Sequence, residues 1–249
     1  GHAVAMAAGM ARQGMVPVFA VYSSFLQRGF DMLVHDVALQ GLHVVLAVDR
    51  AGLVGSDGPT HHGCQDVGYL TQIPGMSVLC PACFSELRAM LRAALEMEGP
   101  VAVRYPRGGE ERQYPDWNGE GASVLRQGTD ATLVSYGTMT GELLAAADAL
   151  AEKGVHAEVV KLHRIAPLDA GLVLESVGRT GRLLVLEDCY EVGSVGQQLA
   201  AALALSGVPV QSIILKNLKS SFAPQGTVPQ LRRLLGIDAE AVVQAIFNR

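Results

Sequence analysis

Short apolar runs rich in β-branched residues alternate with helical patterns along this chain. In the first half the strand-like runs cover residues 16–22 ("VPVFAVY"), 43–49 ("HVVLAVD"), 76–80 ("MSVLC") and 100–105 ("PVAVRY"), and helical patterns cover 27–40 and 85–97. Buried runs that alternate with helices are typical of a parallel sheet covered by helices on both faces. The alternation therefore predicts an α/β domain with three layers.

A second α/β pattern follows a break in this alternation. Residues 106–121, "PRGGEERQYPDWNGEG", are rich in Gly, Pro and charge, which predicts a linker. Beyond it, strand-like runs at 131–137, 157–162, 182–188 and 209–215 alternate with helices at 139–153, after Pro167 and at 195–206, and two helices end the chain. We predict two consecutive three-layer α/β domains with mainly parallel sheets, at 1–122 (linker 106–122 included) and 123–249.

Composition bounds the class of protein. Of the 249 residues 49% are hydrophobic and 17% charged, enough to bury a sizeable core. The net charge is −5 and the 19 Lys and Arg residues are scattered, so no broad surface for nucleic acid or membrane is expected. The apolar runs are far shorter than the roughly 18 residues of a membrane span, and four cysteines do not make a disulfide scaffold. A cytoplasmic protein is expected, without a membrane or nucleic-acid partner.

Polar clusters follow three of the predicted strands at their carboxyl ends. Asp49 and Arg50 end one strand, Tyr22 ends another, and residues 104–107 end a third. In open parallel sheets, ligands bind at the carboxyl ends of the strands. The three clusters are therefore predicted to face one crevice.

Arg50 and Arg107 are candidate anion ligands, because a guanidinium presents fixed donors that match phosphate oxygens and two of them can hold one group. The alternative is a pair of surface ion pairs, Arg50 with Asp49 and Arg107 with Glu110. The residues alone leave both readings open.

The loop "GSDGPTHHG" (55–63) carries further candidates. His61 and His62 are potential proton donors or acceptors near neutral pH, or simply solvated loop histidines. Asp57 could hold a substrate hydroxyl or form an Asx-turn. Tyr22 and Phe25, at a strand end, could wall a flat heterocycle or close the core.

"CPAC" (80–83) allows a redox dithiol, or half of a zinc site completed by Cys64 and a His. A second cysteine pair with metal-ligand spacing is absent from the sequence, which favours inert buried thiols. The sequence also contains no Walker loop, no dinucleotide-binding Gly-x-Gly-x-x-Gly, and no "GDG" followed by Asn.

Three segments together, "YSSFLQRGFDMLVHDVALQ", "DRAGLVGSDGPTHHG" and "AVRYPRG", resemble the 1-deoxy-D-xylulose-5-phosphate synthase family, transketolase-like enzymes that use thiamine diphosphate. The resemblance runs from Gly1 through the first domain and more loosely to "PQGTVPQLRRLLGIDAEAV" in the second. It implies a transketolase pyrimidine-binding domain followed by a transketolase C-terminal domain. It also implies condensation of pyruvate with glyceraldehyde 3-phosphate to deoxyxylulose phosphate and CO2, for isoprenoid, thiamine and pyridoxal synthesis, by a cytoplasmic homodimer.

The resemblance assigns cofactor roles. Thiamine diphosphate would supply the electron sink, with Mg2+ bound to its diphosphate. Phe25 and Arg28 match positions that contact the aminopyrimidine ring, and Tyr22 matches a residue that reaches toward cofactor and acceptor. No metal ligand is expected in this chain, because the family places the Mg2+ and diphosphate ligands in an upstream domain.

The resemblance also assigns acceptor roles. Arg50 and Arg107 match the pair that binds the triose phosphate, Asp57 matches a ligand of a substrate hydroxyl, and His61 matches a His that assists proton transfer. A catalytic Glu in the family stands immediately before the position of Gly1. The chain alone is therefore expected to be inactive without an upstream partner domain.

Some residues depart from the family pattern: "THHG" replaces "THQG", "YSSF" replaces "YSTF", and "EDCYEVGSVGQQ" (187–198) replaces a Gly-rich segment. The role of the second domain is therefore open. The alternatives are the second subunit of a split transketolase, the beta subunit of a 2-oxo-acid dehydrogenase, and a non-catalytic assembly module. "DRAG" and the paired arginines argue against the dehydrogenase, which has no phosphorylated acceptor to bind.

Overall fold

The computed structural model describes residues 1–248, which form two five-stranded sheets flanked by helices. The strands are β1 (Val18–Tyr22), β2 (Val45–Asp49), β3 (Ser77–Leu79), β4 (Val101–Arg104), β5 (Ala122–Arg126), β6 (Ala131–Tyr136), β7 (Ala157–Leu162), β8 (Arg164–Ala166), β9 (Arg182–Leu186) and β10 (Ser212–Lys216). The helices are α1 (His2–Arg12), α2 (Ser23–Leu26), α3 (Phe30–Met32), α4 (Asp66–Leu70), α5 (Phe84–Ala94), α6 (Thr140–Ala151), α7 (Gly171–Thr180), α8 (Val195–Ser206), α9 (Val228–Leu234) and α10 (Ala239–Phe247).

Both sheets are mainly parallel, which confirms the predicted fold class. The first sheet has the order β1-β2-β4-β3-β8 and the second the order β10-β9-β6-β7-β5. Only β8 on β3 and β5 on β7 pair antiparallel within residues 1–248. All eight predicted strand-like runs contain a strand. The inner strands β2, β4, β6 and β7 are buried almost throughout, and such a strand needs an apolar run, whereas β1 and β10 at the sheet edges are partly exposed.

Three features differ from the predicted pattern. β5 and β8 were not predicted: β5 is partly exposed along its whole length, and β8 has only three residues, so neither produces an apolar run. β8 follows the linker in sequence yet pairs with the first sheet, so the two halves share a sheet edge. The helix expected at 27–40 is divided into a 3₁₀ turn (Gln27–Gly29), α3 and a π-helix (Leu33–Ala38).

The core lies between the sheets and their helices. Residues 45–48 of β2 are all buried, and α1 buries its Val4–Ala7–Ala8 face. Complete burial of an aliphatic side chain contributes about 1.5–3 kcal/mol, so the strand ends that carry the polar clusters stand on a rigid base. No helix within residues 1–248 combines the length and apolar character that crossing a membrane requires.

Candidate active site

The carboxyl ends of β1, β2 and β4 meet at one edge of the first sheet. Tyr22 is in register with Asp49, and Val48 is in register with Arg104. The loop after β2 then turns back on itself, closed at its base by two hydrogen bonds between Gly52 and Gly63 of 2.8 and 2.9 Å. The three polar segments predicted to face one crevice therefore start side by side.

Arg50 is held in a strained conformation at the start of this loop. Its φ of 59° is in the left-handed region, which costs a non-glycine residue on the order of 1 kcal/mol. Its backbone N–H donates to the Asp49 carboxylate at 2.7 Å. Its guanidinium stacks over the Tyr22 ring at 4.0 Å from the centroid and donates to the carboxylate of Asp57. The strained backbone of Arg50 thus occurs together with a guanidinium that is fixed by Tyr22 and Asp57.

Arg107 reaches the same carboxylate from the segment after β4. Its guanidinium lies 2.8 Å from Asp57 Oδ2, the oxygen that Arg50 also contacts. Glu110, the alternative partner considered for Arg107, instead accepts the backbone N–H of Phe84 at 2.6 Å. Both arginines therefore form ion pairs, as the alternative expected, but with Asp57 rather than with Asp49 and Glu110. Asp49 accepts a backbone N–H from Arg50. Two guanidiniums converge on one oxygen, as they would on an anion.

These arginines border a cavity of about 340 Å³. Its lining also includes the apolar side chains of Phe84, Leu87 and Pro106. The acidic residues Asp49 and Glu110 complete its charged lining, so the cavity combines groups of both charges with apolar side chains.

A second cavity, of about 510 Å³, is lined by the rings of Phe25 and His61. Tyr22 stacks on Phe25 with ring centroids 5.4 Å apart, and Phe25 meets His61 edge-on at 5.4 Å. Phe25 is 52% exposed, so its free face can accept a flat ring. Arg28 lines this cavity with Phe25 and His61, and Thr60 Oγ1 lies 2.9 Å from His61 Nδ1.

Five of the seven predicted side chains line a cavity: Arg50 and Arg107 line the first, and Phe25, Arg28 and His61 line the second. The other two contact these residues, since Asp57 pairs with both arginines and Tyr22 packs against Arg50 and Phe25. Their roles in binding and catalysis remain predictions. Within residues 1–248 no group of three or more His, Cys, Asp or Glu side chains is placed to hold a metal ion.

His62 differs from its neighbour, although sequence reasoning grouped the two as candidate proton carriers. It is 6% exposed, and its Nδ1 accepts the backbone N–H of Val54 at 3.1 Å. Its Nε2 lies 3.0 Å from the carbonyl oxygen of Pro224 in the second half of the chain. Both ring nitrogens are therefore engaged with backbone groups, which leaves His61 as the histidine available to a ligand.

Sequence reasoning missed two aromatic residues of the second half that line the same cavity. Tyr190 and Phe222 border it together with Phe25, and the ring centroids of Tyr190 and Phe222 lie 6.1 Å apart. Phe222 is 78% exposed. The only sequence signal was an aromatic residue within a loop, which does not indicate where the loop packs.

Arg104 and the cysteines are structural. Arg104 points into the core, where Nε and a terminal nitrogen bond both oxygens of buried Asp66 at 3.0 and 3.2 Å. Cys64, Cys80 and Cys83 are buried free thiols. Burial raises the pKa of Cys80 to about 12, so this thiol stays protonated at neutral pH. These observations support the inert reading of "CPAC".

Comparison with known proteins matches both halves to one family. Residues 1–110 match the family described as "Transketolase, pyrimidine binding domain", and residues 120–242 match "Transketolase, C-terminal domain". The solved structure described as "Split gene transketolase, inactive beta4 tetramer" superposes with a TM-score of 0.87 at 29% identity, covering 98% of this chain and 78% of that one.

Curated relatives are longer than this chain. The 1-deoxy-D-xylulose-5-phosphate synthase 1 of Geobacter sulfurreducens is 42% identical over 252 residues, which cover 98% of this chain and 39% of the relative. The 1-deoxy-D-xylulose-5-phosphate synthase of Thermomicrobium roseum is 43% identical over 250 residues, 97% of this chain and 39% of the relative. The chain belongs to the transketolase-like family, with its pyrimidine-binding and C-terminal domains, and resembles the C-terminal portion of 1-deoxy-D-xylulose-5-phosphate synthases.

Proposed function

We propose that this chain forms part of a 1-deoxy-D-xylulose-5-phosphate synthase. The enzyme condenses pyruvate with glyceraldehyde 3-phosphate to 1-deoxy-D-xylulose 5-phosphate and CO2, for isoprenoid, thiamine and pyridoxal synthesis. The observation that carries the proposal is the convergence of Arg50 and Arg107 on Asp57, next to the ring wall of Tyr22 and Phe25. An acceptor with a phosphate needs such a pair of guanidiniums.

The exposed face of Phe25 suits the aminopyrimidine ring of thiamine diphosphate, and Arg28 and His61 border the same space. When bound, thiamine diphosphate supplies the electron sink for the loss of CO2. Phe25 and Tyr22 would orient the ring by stacking. We propose that Mg2+ and the diphosphate bind to an upstream domain, that a homodimer forms, and that the enzyme acts in the cytoplasm.

The acceptor side needs three actions of this chain. Arg50 and Arg107 bind the phosphate and orient the triose. Asp57, released from the two arginines by the phosphate, accepts a hydrogen bond from a substrate hydroxyl. His61 moves a proton to or from the reacting oxygen; its edge-on contact with Phe25, the proposed partner of the cofactor ring, supports this role.

Replacing Arg107 by Ala in the natural polypeptide that contains this chain tests the assignment. A hydrogen bond to a charged group is worth about 1.5–3 kcal/mol, and the low end applies because the Arg107 side chain is 46% exposed. We expect kcat/KM for glyceraldehyde 3-phosphate to fall about tenfold, with no change for unphosphorylated glyceraldehyde. Arg112→Ala, an exposed arginine of the same linker, is the matched control. An unchanged KM for glyceraldehyde 3-phosphate in Arg107→Ala would refute the assignment.

A second candidate is the second subunit of a split transketolase. The superposition on a chain described as a split gene transketolase favours it, because this chain covers 78% of that one. Both candidates bind a phosphorylated aldehyde, so the arginine test does not separate them. The donor does: pyruvate for the synthase and a ketose phosphate for the transketolase.

A further inference from the structure

The loop that carries Asp57 and His61 is hydrogen-bonded to the second half of the chain. The residues that it contacts there are 224–226, just before α9. The Gln225 side chain donates to the carbonyl oxygen of Ser56 at 2.8 Å, and His62 Nε2 lies 3.0 Å from the carbonyl oxygen of Pro224. Both bonds join the loop to one short segment of the other half.

The two backbones also approach closely. Gly55 has a φ of 74°, and a Cβ at this position would lie 3.2 Å from the carbonyl oxygen of Gly226. Gly58 has the same φ, and a Cβ there would lie 3.6 Å from the Gln225 side chain. The positive φ favours glycine at both positions, and at Gly55 a Cβ would also press on the carbonyl oxygen of Gly226.

The partners of His62 determine its proton position. The N–H of Val54 can only donate, so Nδ1 accepts, and the carbonyl of Pro224 can only accept, so Nε2 carries the proton. His62 thus ties Val54, the residue directly before the 3₁₀ turn, to the second half of the chain. Asp57 lies in this turn (Gly55–Asp57), directly after Ser56, and His61 directly precedes His62.

We propose that His62 and Gln225 are positioning residues, through which residues 224–226 fix the loop that places Asp57 and His61. What the loop binds rests on the proposed function; how it is held does not. This gives the C-terminal domain a role in the acceptor site.

The contacts of His62 and Gln225 are not needed to hold the two halves together, because other interactions join the halves. β8 pairs with β3, and the buried Lys161 ammonium contacts the buried Glu86 carboxylate. Loss of His62 or Gln225 would therefore loosen the loop while the halves stay together.

Hydrogen exchange of this chain tests the positioning without reference to a substrate. We expect His62→Leu and Gln225→Leu to increase exchange about fivefold to tenfold at residues 54–61, with residues 45–49 of β2 unchanged. His62→Gln, whose amide offers one acceptor and donors, restores protection. Because Gln225 is exposed, we expect Gln225→Leu to keep the fold. The test therefore remains possible even where His62→Leu, a substitution of a buried residue, fails to fold. Unchanged exchange in Gln225→Leu, or His62→Gln behaving like His62→Leu, would overturn the proposal.

Kinetics of the natural polypeptide give the second measurement. His62→Leu and Gln225→Leu should raise KM for glyceraldehyde 3-phosphate about fivefold and leave KM for pyruvate unchanged, and His62→Gln should match the wild type. Faster loop exchange without this KM change would overturn the positioning role. Failure of the proposed function would show instead in Arg107→Ala and would leave the exchange results as they are.

Discussion

Asp57 forms ion pairs with both arginines that are proposed to bind phosphate, so its carboxylate competes with the anion. Asp57→Asn keeps the shape of the side chain and removes its charge. Arg107 lies 2.8 Å from Asp57 Oδ2, which would place a phosphate on the same guanidinium roughly 5–6 Å from the carboxylate. The predicted effect of the substitution is tighter binding of inorganic phosphate to this chain.

The magnitude follows from Coulomb's law. At that separation, two like charges repel by about 0.7 kcal/mol in water and about 3 kcal/mol at an effective dielectric constant of 20. The side chains of Asp57 and Arg107 are 26% and 46% exposed, so the value lies near the aqueous limit. We expect a gain of about 1 kcal/mol, or roughly fivefold tighter binding, at low ionic strength.

Isothermal titration of this chain with inorganic phosphate measures the effect. Glu110→Gln is the matched control, since Glu110 lines the same cavity but bonds the N–H of Phe84. Its phosphate affinity should change less than twofold. Equal effects of the two variants would show only a general charge effect, and unchanged or weaker binding to Asp57→Asn would refute the competition.

Two further predictions concern stability. Burial, and next the Lys161 charge, lowers the pKa of His163 to about 4. Between about pH 6.5 and 4 the unfolded chain therefore binds a proton that the folded chain does not. As the pH is lowered through this range, the free energy of unfolding should decrease by up to about 3 kcal/mol. Measured by urea unfolding, this decrease in the free energy of unfolding between pH 6.5 and 4 should be smaller in His163→Gln than in the wild type. Equal decreases in the two proteins would contradict the prediction. The second prediction compares two glycines. A Cβ at Gly63 would overlap the Arg50 carbonyl oxygen, so Gly63→Ala should lower the free energy of unfolding by about 2 kcal/mol. A Cβ at Gly9 in α1 would meet nothing within 4 Å, so Gly9→Ala should raise the free energy of unfolding by up to about 1 kcal/mol. Equal effects in urea unfolding would disprove that contrast.

The fold was predictable where burial imposes a pattern on the chain. β2 and β4 are buried at every residue from 45 to 48 and from 101 to 104, and each produces an apolar run. β5 is partly exposed throughout and β8 has three residues, so edge pairing forms them without a pattern in the sequence. Tertiary contacts, rather than local preference, decide such strands.

The site was predictable in its position more than in its contacts. Parallel strands end at one edge, so the residues after β1, β2 and β4 had to lie together. The shared carboxylate partner of Arg50 and Arg107 could not be predicted, because Asp57 lies in a turn held by residues 224–226. The different burial and hydrogen-bond partners of His61 and His62 could not be predicted for the same reason, since both depend on what packs against the loop.

The most direct test of the central claim is the reaction itself. The natural polypeptide that contains this chain should be assayed with thiamine diphosphate, Mg2+, pyruvate and glyceraldehyde 3-phosphate, and the products identified by mass spectrometry. We predict one CO2 and one 1-deoxy-D-xylulose 5-phosphate for each pyruvate consumed. No reaction with pyruvate, together with ketol transfer from a ketose phosphate, would contradict the proposed function and establish the transketolase alternative.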